Sequence, residues 1–159
     1  MRGWNVTGHA LFHLLVRPER PALLAGRVGW YHRPLDLRAM REGAALLTGH
    51  HDFSSFRAAG CQAKSPMKTL HRLDVTAAGD LVRIEASADA FLHHMVRNVV
   101  GALVAVGAGK ATPAWIGDLL SARDRTIGAP TFAPDGLHFL GADYDARFGL
   151  PPTRREVPL

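Results

Sequence analysis

Cysteine is almost missing from this chain of 159 residues, with Cys61 the sole example. No intramolecular disulfide can form, and that usage fits a reducing compartment. Lysine is scarce too: Lys64, Lys68 and Lys110 are the three lysines among 19 basic residues. Tyrosine is limited to Tyr31 and Tyr144, and no aspartate precedes Asp36. No apolar run reaches the 18 or so residues that a membrane-spanning helix needs. The first residues hold no secretory apolar segment with a cleavage site, so the expected location is the cytoplasm. No internal repeat is found.

What is present describes one folded domain. Hydrophobic residues make up 47% of the chain and charged residues 21%, a balance that disfavours wholesale disorder. A chain of this length buries roughly two thirds of its unfolded surface, enough for a core of its own. The formal charge is +5 and the pI is near 10.1, carried mostly by arginine. Guanidinium groups match phosphate bidentately, which suits a polyanionic partner. The codon habits of a GC-rich genome give the same excess, so both readings stay open.

The pattern along the chain predicts an α+β fold, an antiparallel or mixed sheet with helices on one face. Leu11 to Val16 reads as a strand that Arg17-Pro18 breaks, and Ala22 to Tyr31 reads as a connector. Asp36 caps a helix whose apolar positions are Leu37, Met40, Ala44 and Leu47, and Gly49 ends it. His50 to Pro66 reads as irregular. Met67 to Thr76 and Leu81 to Glu85 flank a turn at Ala77-Ala78-Gly79-Asp80, the signature of a hairpin. A long buried helix is expected from about Asp89 to Val106, and Thr112-Pro113 opens another. Leu137 to Tyr144 forms a last apolar stretch.

Chemistry concentrates in few places. On the expected buried helix His93, His94, Arg97 and Asn98 form a narrow polar strip, with His93 and Arg97 on one face. A buried arginine needs an anion. Either Arg97 meets one in a cleft, or it reaches out at the helix edge into a structural ion pair. Phe53, Phe56, Arg57, Gln62, Lys64, Lys68 and Arg72 mix cations with rings and amides, as RNA surfaces do. Nine histidines do not make a metal site: His9 and His13 lack a glutamate between them and a second cysteine is missing. Gly107-Ala108-Gly109-Lys110 fails as a phosphate loop, since Val104 stands where its first glycine belongs and Ala111 where Ser or Thr belongs. Ser54 and Ser55 sit too close in sequence to His51 and Asp52 for a catalytic relay.

Several stretches taken together resemble the C-terminal half of the tRNA pseudouridine synthase A family. They are Leu46-Leu47-Thr48-Gly49-His50-His51-Asp52-Phe53-Ser54-Ser55-Phe56-Arg57, Cys61-Gln62-Ala63-Lys64-Ser65-Pro66 and the block from Ala90 to Gly101. Asp124-Arg125-Thr126, Asp135-Gly136-Leu137 and Asp143-Tyr144 complete the set. The match runs from about Arg20 to Leu150, roughly four fifths of the chain. It sets apart residues 1–19 as a divergent N-terminal segment, 20–150 as the synthase C-terminal domain and 151–159 as a loose tail.

The resemblance implies one half of the pseudouridine synthase fold, with the RNA cleft between two similar halves. It implies a homodimer that isomerises uridine to pseudouridine in the tRNA anticodon stem-loop, without cofactor or metal. It makes Arg97 the partner of the nucleophilic aspartate, with RNA contacts at Phe53, Arg57, Lys64, Lys68, His93, His94 and Asn98. The family's Gly-Arg-Thr-Asp motif does not occur in this chain, and the place of its active-site tyrosine reads Ala10 to Val16. The expectation is therefore a chain inactive alone, either truncated or partnered by a separate N-terminal half. The rivals are a non-catalytic RNA-binding or dimerisation module, and an unstable remnant with a raw sheet edge.

Overall fold

Residues Val6–Val16 are apolar on both sides of the pleat, and they form the central strand, β1. Ala10, Phe12 and Leu14 point into the main core. Leu11, fully buried, and His9 and His13 point to the opposite face. A strand covered on both faces reads as a continuous run instead of alternating, which explains its appearance in the sequence. A computed structural model describes residues 6–61, 63–144, 149–151 and 156–159.

The described strands are β1, β2 (Gly29–Tyr31), β3 (Gly49–Asp52), β4 (Met67–Ala78), β5 (Leu81–Ala88) and β6 (Leu137–Tyr144). They make one mixed sheet in the order β2-β1-β5-β4-β3, with β6 also on β1. All pairs are antiparallel except β1 with β2. One edge of β1 is shared in succession: Val6 to Phe12 pair with β6, and Leu14 to Val16 pair with β2. Glycine permits that junction. A Cβ on Gly136 would lie 2.2 Å from the His13 carbonyl oxygen, and one on Gly29 would lie 2.8 Å from the Phe12 ring.

The helices are α1 (Leu37–Leu47), α2 (Met95–Gly107) and α3 (Pro113–Ala122). Asp36 caps α1 by accepting from the Ala39 N–H at 3.1 Å. Met40, Ala44 and Leu47 of α1 join Leu103 and Val106 of α2 and Ile116 and Leu119 of α3 in one cluster with Phe12, Leu70 and Ile84 of the sheet. The α+β architecture is as expected.

Several boundaries differ from expectation. β3 and β2 lie inside stretches read as irregular, because both are too short to show a period. The hairpin turn tightens to Gly79-Asp80, with Gly79 at φ +58°. The segment set apart at residues 1–19 contains the central strand, Val6–Val16. His9 ties three strands together, its Nδ1 2.8 Å from Ser87 Oγ and its Nε2 2.8 Å from Asp143 Oδ2.

Candidate active site

The long helix expected from Asp89 begins only at Met95. Residues 89–94 spend their backbone groups elsewhere. Asp89 exchanges bonds with Thr69 of β4, donating its N–H to the Thr69 carbonyl at 3.2 Å while Oδ1 accepts from the Thr69 N–H at 3.0 Å. The His93 carbonyl accepts from the Ala58 N–H at 3.0 Å. His94 then takes φ +60°, a left-handed conformation that is costly for a residue with a Cβ. His93 is therefore outside the helix and does not share a helical face with Arg97, a correction to the sequence reading. Instead the His93 and His94 rings stack with centroids 4.0 Å apart, both exposed. Partial burial, then the neighbouring His93 and Arg97, holds His94 below the usual histidine range.

Arg97, on the first turn of α2, is half-buried. Its Nε donates to the Phe132 carbonyl at 2.7 Å, and the Phe132 N–H donates to the Arg97 carbonyl at 3.3 Å. Among the described residues Arg97 makes no ion pair. It therefore stands in neither of the two anion-paired states considered above. It lines a cleft of about 460 Å³ with Phe91, His93, His94, Pro134 and Phe139. The walls are aromatic and aliphatic, the cation is at the side, and no Asp or Glu is among the described residues lining it. Such a cleft suits the apolar face of a planar ring, with Arg97 available to a carboxylate or phosphate brought from outside.

Asn98 has a different environment. It is 2% exposed; its Nδ2 donates to the Phe56 carbonyl at 2.8 Å, and its Oδ1 accepts from Thr131 Oγ1 at 2.6 Å and Arg125 Nη2 at 3.0 Å. Arg125 Nη2 also reaches the Ala129 carbonyl at 2.8 Å and Thr131 Oγ1 at 3.1 Å. Asp124 Oδ1 accepts from the Thr126 N–H, and the Asp124 N–H donates to Ser55 Oγ, both at 2.9 Å. This clamp fixes residues 124–132 against α2, and residue 132 in turn holds Arg97. Arg125 and Thr131 were not singled out from the sequence, although Arg125 lies in a quoted stretch. A loop residue gives no periodic signal of what it grips.

Phe53 is fully buried, its ring 6.2 Å from that of Phe56. Phe53 and Asn98 thus both sit in the interior of this structure. Arg57 folds its own loop, with Nη2 2.9 Å from the Cys61 carbonyl and 2.6 Å from that of Ala63. Hydrogen bonds with the backbone at Ala63 and His93, then Arg57, hold the Cys61 thiol below the usual thiol range. That brings the 57–63 loop against His93 at the cleft. Lys64 is exposed beyond it, and Lys68, half-buried, pairs with His51 across β3 and β4. Gln62 lies outside the described residues. Among those described, no group of three or more His, Cys, Asp or Glu could hold a metal ion. Among the described residues no helix is long and apolar enough to cross a membrane.

Residues 44–145 match the family model described as tRNA pseudouridine synthase. Curated relatives include a tRNA pseudouridine synthase A of Chromobacterium violaceum, 60% identical over 140 residues, covering 88% of this chain and 53% of that protein. Another, from Methylobacillus flagellatus, is 53% identical over 148 residues, or 93% of this chain and 57% of that protein. A third, from Aromatoleum aromaticum, is 59% identical over 140 residues, with shares of 88% and 53%. The chain spans about half the length of the curated relatives it matches.

Proposed function

The chain belongs to the tRNA pseudouridine synthase family, and from that premise we propose that it supplies the Arg97 wall of a uridine-isomerising cleft. The substrate is a uridine of the tRNA anticodon stem-loop. The observation that carries this reading is the cleft itself: apolar walls sized for a base, a cation at their side, and no carboxylate among the described lining residues.

The reaction needs a nucleophile at the uracil–ribose bond, and an aspartate serves in the family that the sequence resembles. In this reading the aspartate comes from the half of the family's fold that these 159 residues do not include, and it ion-pairs with Arg97. That pairing favours the ionised, nucleophilic carboxylate. Phe91 and Phe139, packed against one another with ring centroids 6.4 Å apart, would form one wall beside the base as it detaches and turns. Lys64 and Lys68, with His93 and His94, contact the RNA backbone beside the cleft, and Arg57 shapes the loop that presents them. The assembled enzyme is a homodimer of cytoplasmic location that uses no cofactor.

The test is tritium release from uridine-labelled tRNA, by the chain alone and with the remaining half of a relative added. Release only from the mixture is expected. Release by the chain alone, or none from a mixture that binds tRNA, overturns the reading. The missing carboxylate also favours a second reading, a non-catalytic RNA-binding module, for which tRNA binds and the mixture stays inactive.

A further inference from the structure

A second concavity lies on the far side of the 129–136 segment from the Arg97 cleft. Phe132 lines it, whereas Pro134 lines the cleft, so one stretch of chain forms both walls. Its volume is about 590 Å³, and its floor is the stretch of α2 that starts at Gly101. Gly101 is one helical turn beyond Arg97, a rise of about 6 Å. The residues by which α2 reaches the two pockets are thus about one nucleotide step apart along the helix.

The chemistry of the second pocket is that of a nucleotide site. Trp30 and Tyr31 of β2 are half-buried along its side. The Arg20 guanidinium lies 4.5 Å from the Trp30 ring centroid, and Trp30 Nε1 donates to the Arg17 carbonyl at 2.9 Å. The arginine thus covers one face of the indole, and the ring N–H is tied at its edge. Lys110, exposed at the rim, adds a donor. The loop leading to β2 brings Arg17, Arg20 and Arg27 against a single acid, Glu19, and Arg33 follows the strand. Aromatic faces with a stacked arginine and a free ammonium are the combination that grips unstacked bases and their phosphates.

We propose that this pocket binds a nucleotide flanking the one in the Arg97 cleft, its base against Trp30 and Tyr31 and its phosphate on Arg20 and Lys110. The proposal rests on the RNA-modifying reading above, but its failure is separable from that of the reading. It predicts that the chain holds at least two consecutive unstacked nucleotides of its substrate, one on each side of the 129–136 segment.

The experiment is a fluorescence titration of the chain with a five-nucleotide oligouridylate, in wild type and in Trp30→Phe, Lys110→Glu, Arg20→Glu and Arg97→Gln variants. Circular dichroism melting verifies that each variant is folded. The expected result is quenching of tryptophan emission that disappears in Trp30→Phe and weakens at least tenfold in affinity in Lys110→Glu and Arg20→Glu. In Arg97→Gln the Trp30 quenching persists. Binding that Arg97→Gln weakens, while Trp30 emission and the Arg20 and Lys110 variants show no effect, overturns the subsite and leaves the cleft reading standing. Absence of any binding overturns both. Quenching that grows with protein concentration without RNA shows instead a surface for a second copy of the chain, and also overturns it.

Discussion

Arg97 and Phe132, 35 residues apart in sequence, hold each other by two hydrogen bonds, one from the arginine Nε and one from the phenylalanine N–H. The aim of the guanidinium therefore depends on segment 129–132. A Cβ on Gly101 would stand 2.4 Å from the Pro130 carbonyl oxygen, inside that segment. Backbone cannot yield as a side-chain tip can. Gly101→Ala is expected to destabilise the chain by about 1–3 kcal/mol in urea denaturation. It should also lower complemented tritium release at least tenfold, because Arg97 loses its fixed position.

Asn98 and Lys64 separate structure from surface. Asn98→Ala leaves the Phe56 carbonyl, Thr131 and Arg125 without their buried partner. The expected cost is about 2–3 kcal/mol. Lys64 is exposed, so Lys64→Ala should change stability by less than about 0.5 kcal/mol. Equilibrium urea unfolding of both variants checks the contrast.

His13 makes the fold sensitive to acid. It is 2% exposed, its Nδ1 has no hydrogen-bond partner among the described residues, and burial, with Arg83 and His138, pulls its pKa down to about 4 from 6.5. The unfolded chain therefore takes up a proton that the folded chain refuses. Stability due to the neutral ring is complete above pH 6.5 and declines as pH falls toward 4, by about 3 kcal/mol in all. Melting curves between pH 7.5 and 4 should show the decline, and His13→Leu should remove this part of it.

Lys64 and Lys68 should appear in the salt dependence of tRNA binding. If both contact phosphate, replacing both by Ala lowers the slope of log K against log salt by about 1.5. Filter binding at several salt concentrations measures it. An unchanged slope places the RNA elsewhere.

The fold was legible where one period ruled an element. Asp36 and the 3–4 spacing from Leu37 to Leu47 define α1, and the Met67 to Glu85 stretch defines the hairpin. The start of α2 was not, because Phe91 and Leu92 continue the apolar pattern while Asp89, Thr69 and Ala58 draw their backbone groups away from the helix. Arg97 stood out as a lone cation on an apolar helix. The burial of Phe53 and Asn98 was not legible, because residue type alone does not tell an exposed ring or amide from one enclosed by the fold. The Trp30 pocket was hidden for another reason: its walls come from residues 20–31, 101–110 and 129–135, which only the fold brings together.

The most direct measurement is tritium release from uridine-labelled tRNA by the complemented mixture, with Arg97 against Arg97→Gln. The expected result is at least a hundredfold loss of turnover, with tRNA affinity changed less than threefold and the melting temperature nearly constant. Equal turnover by the two proteins would contradict the assignment of Arg97 as the partner of the attacking carboxylate.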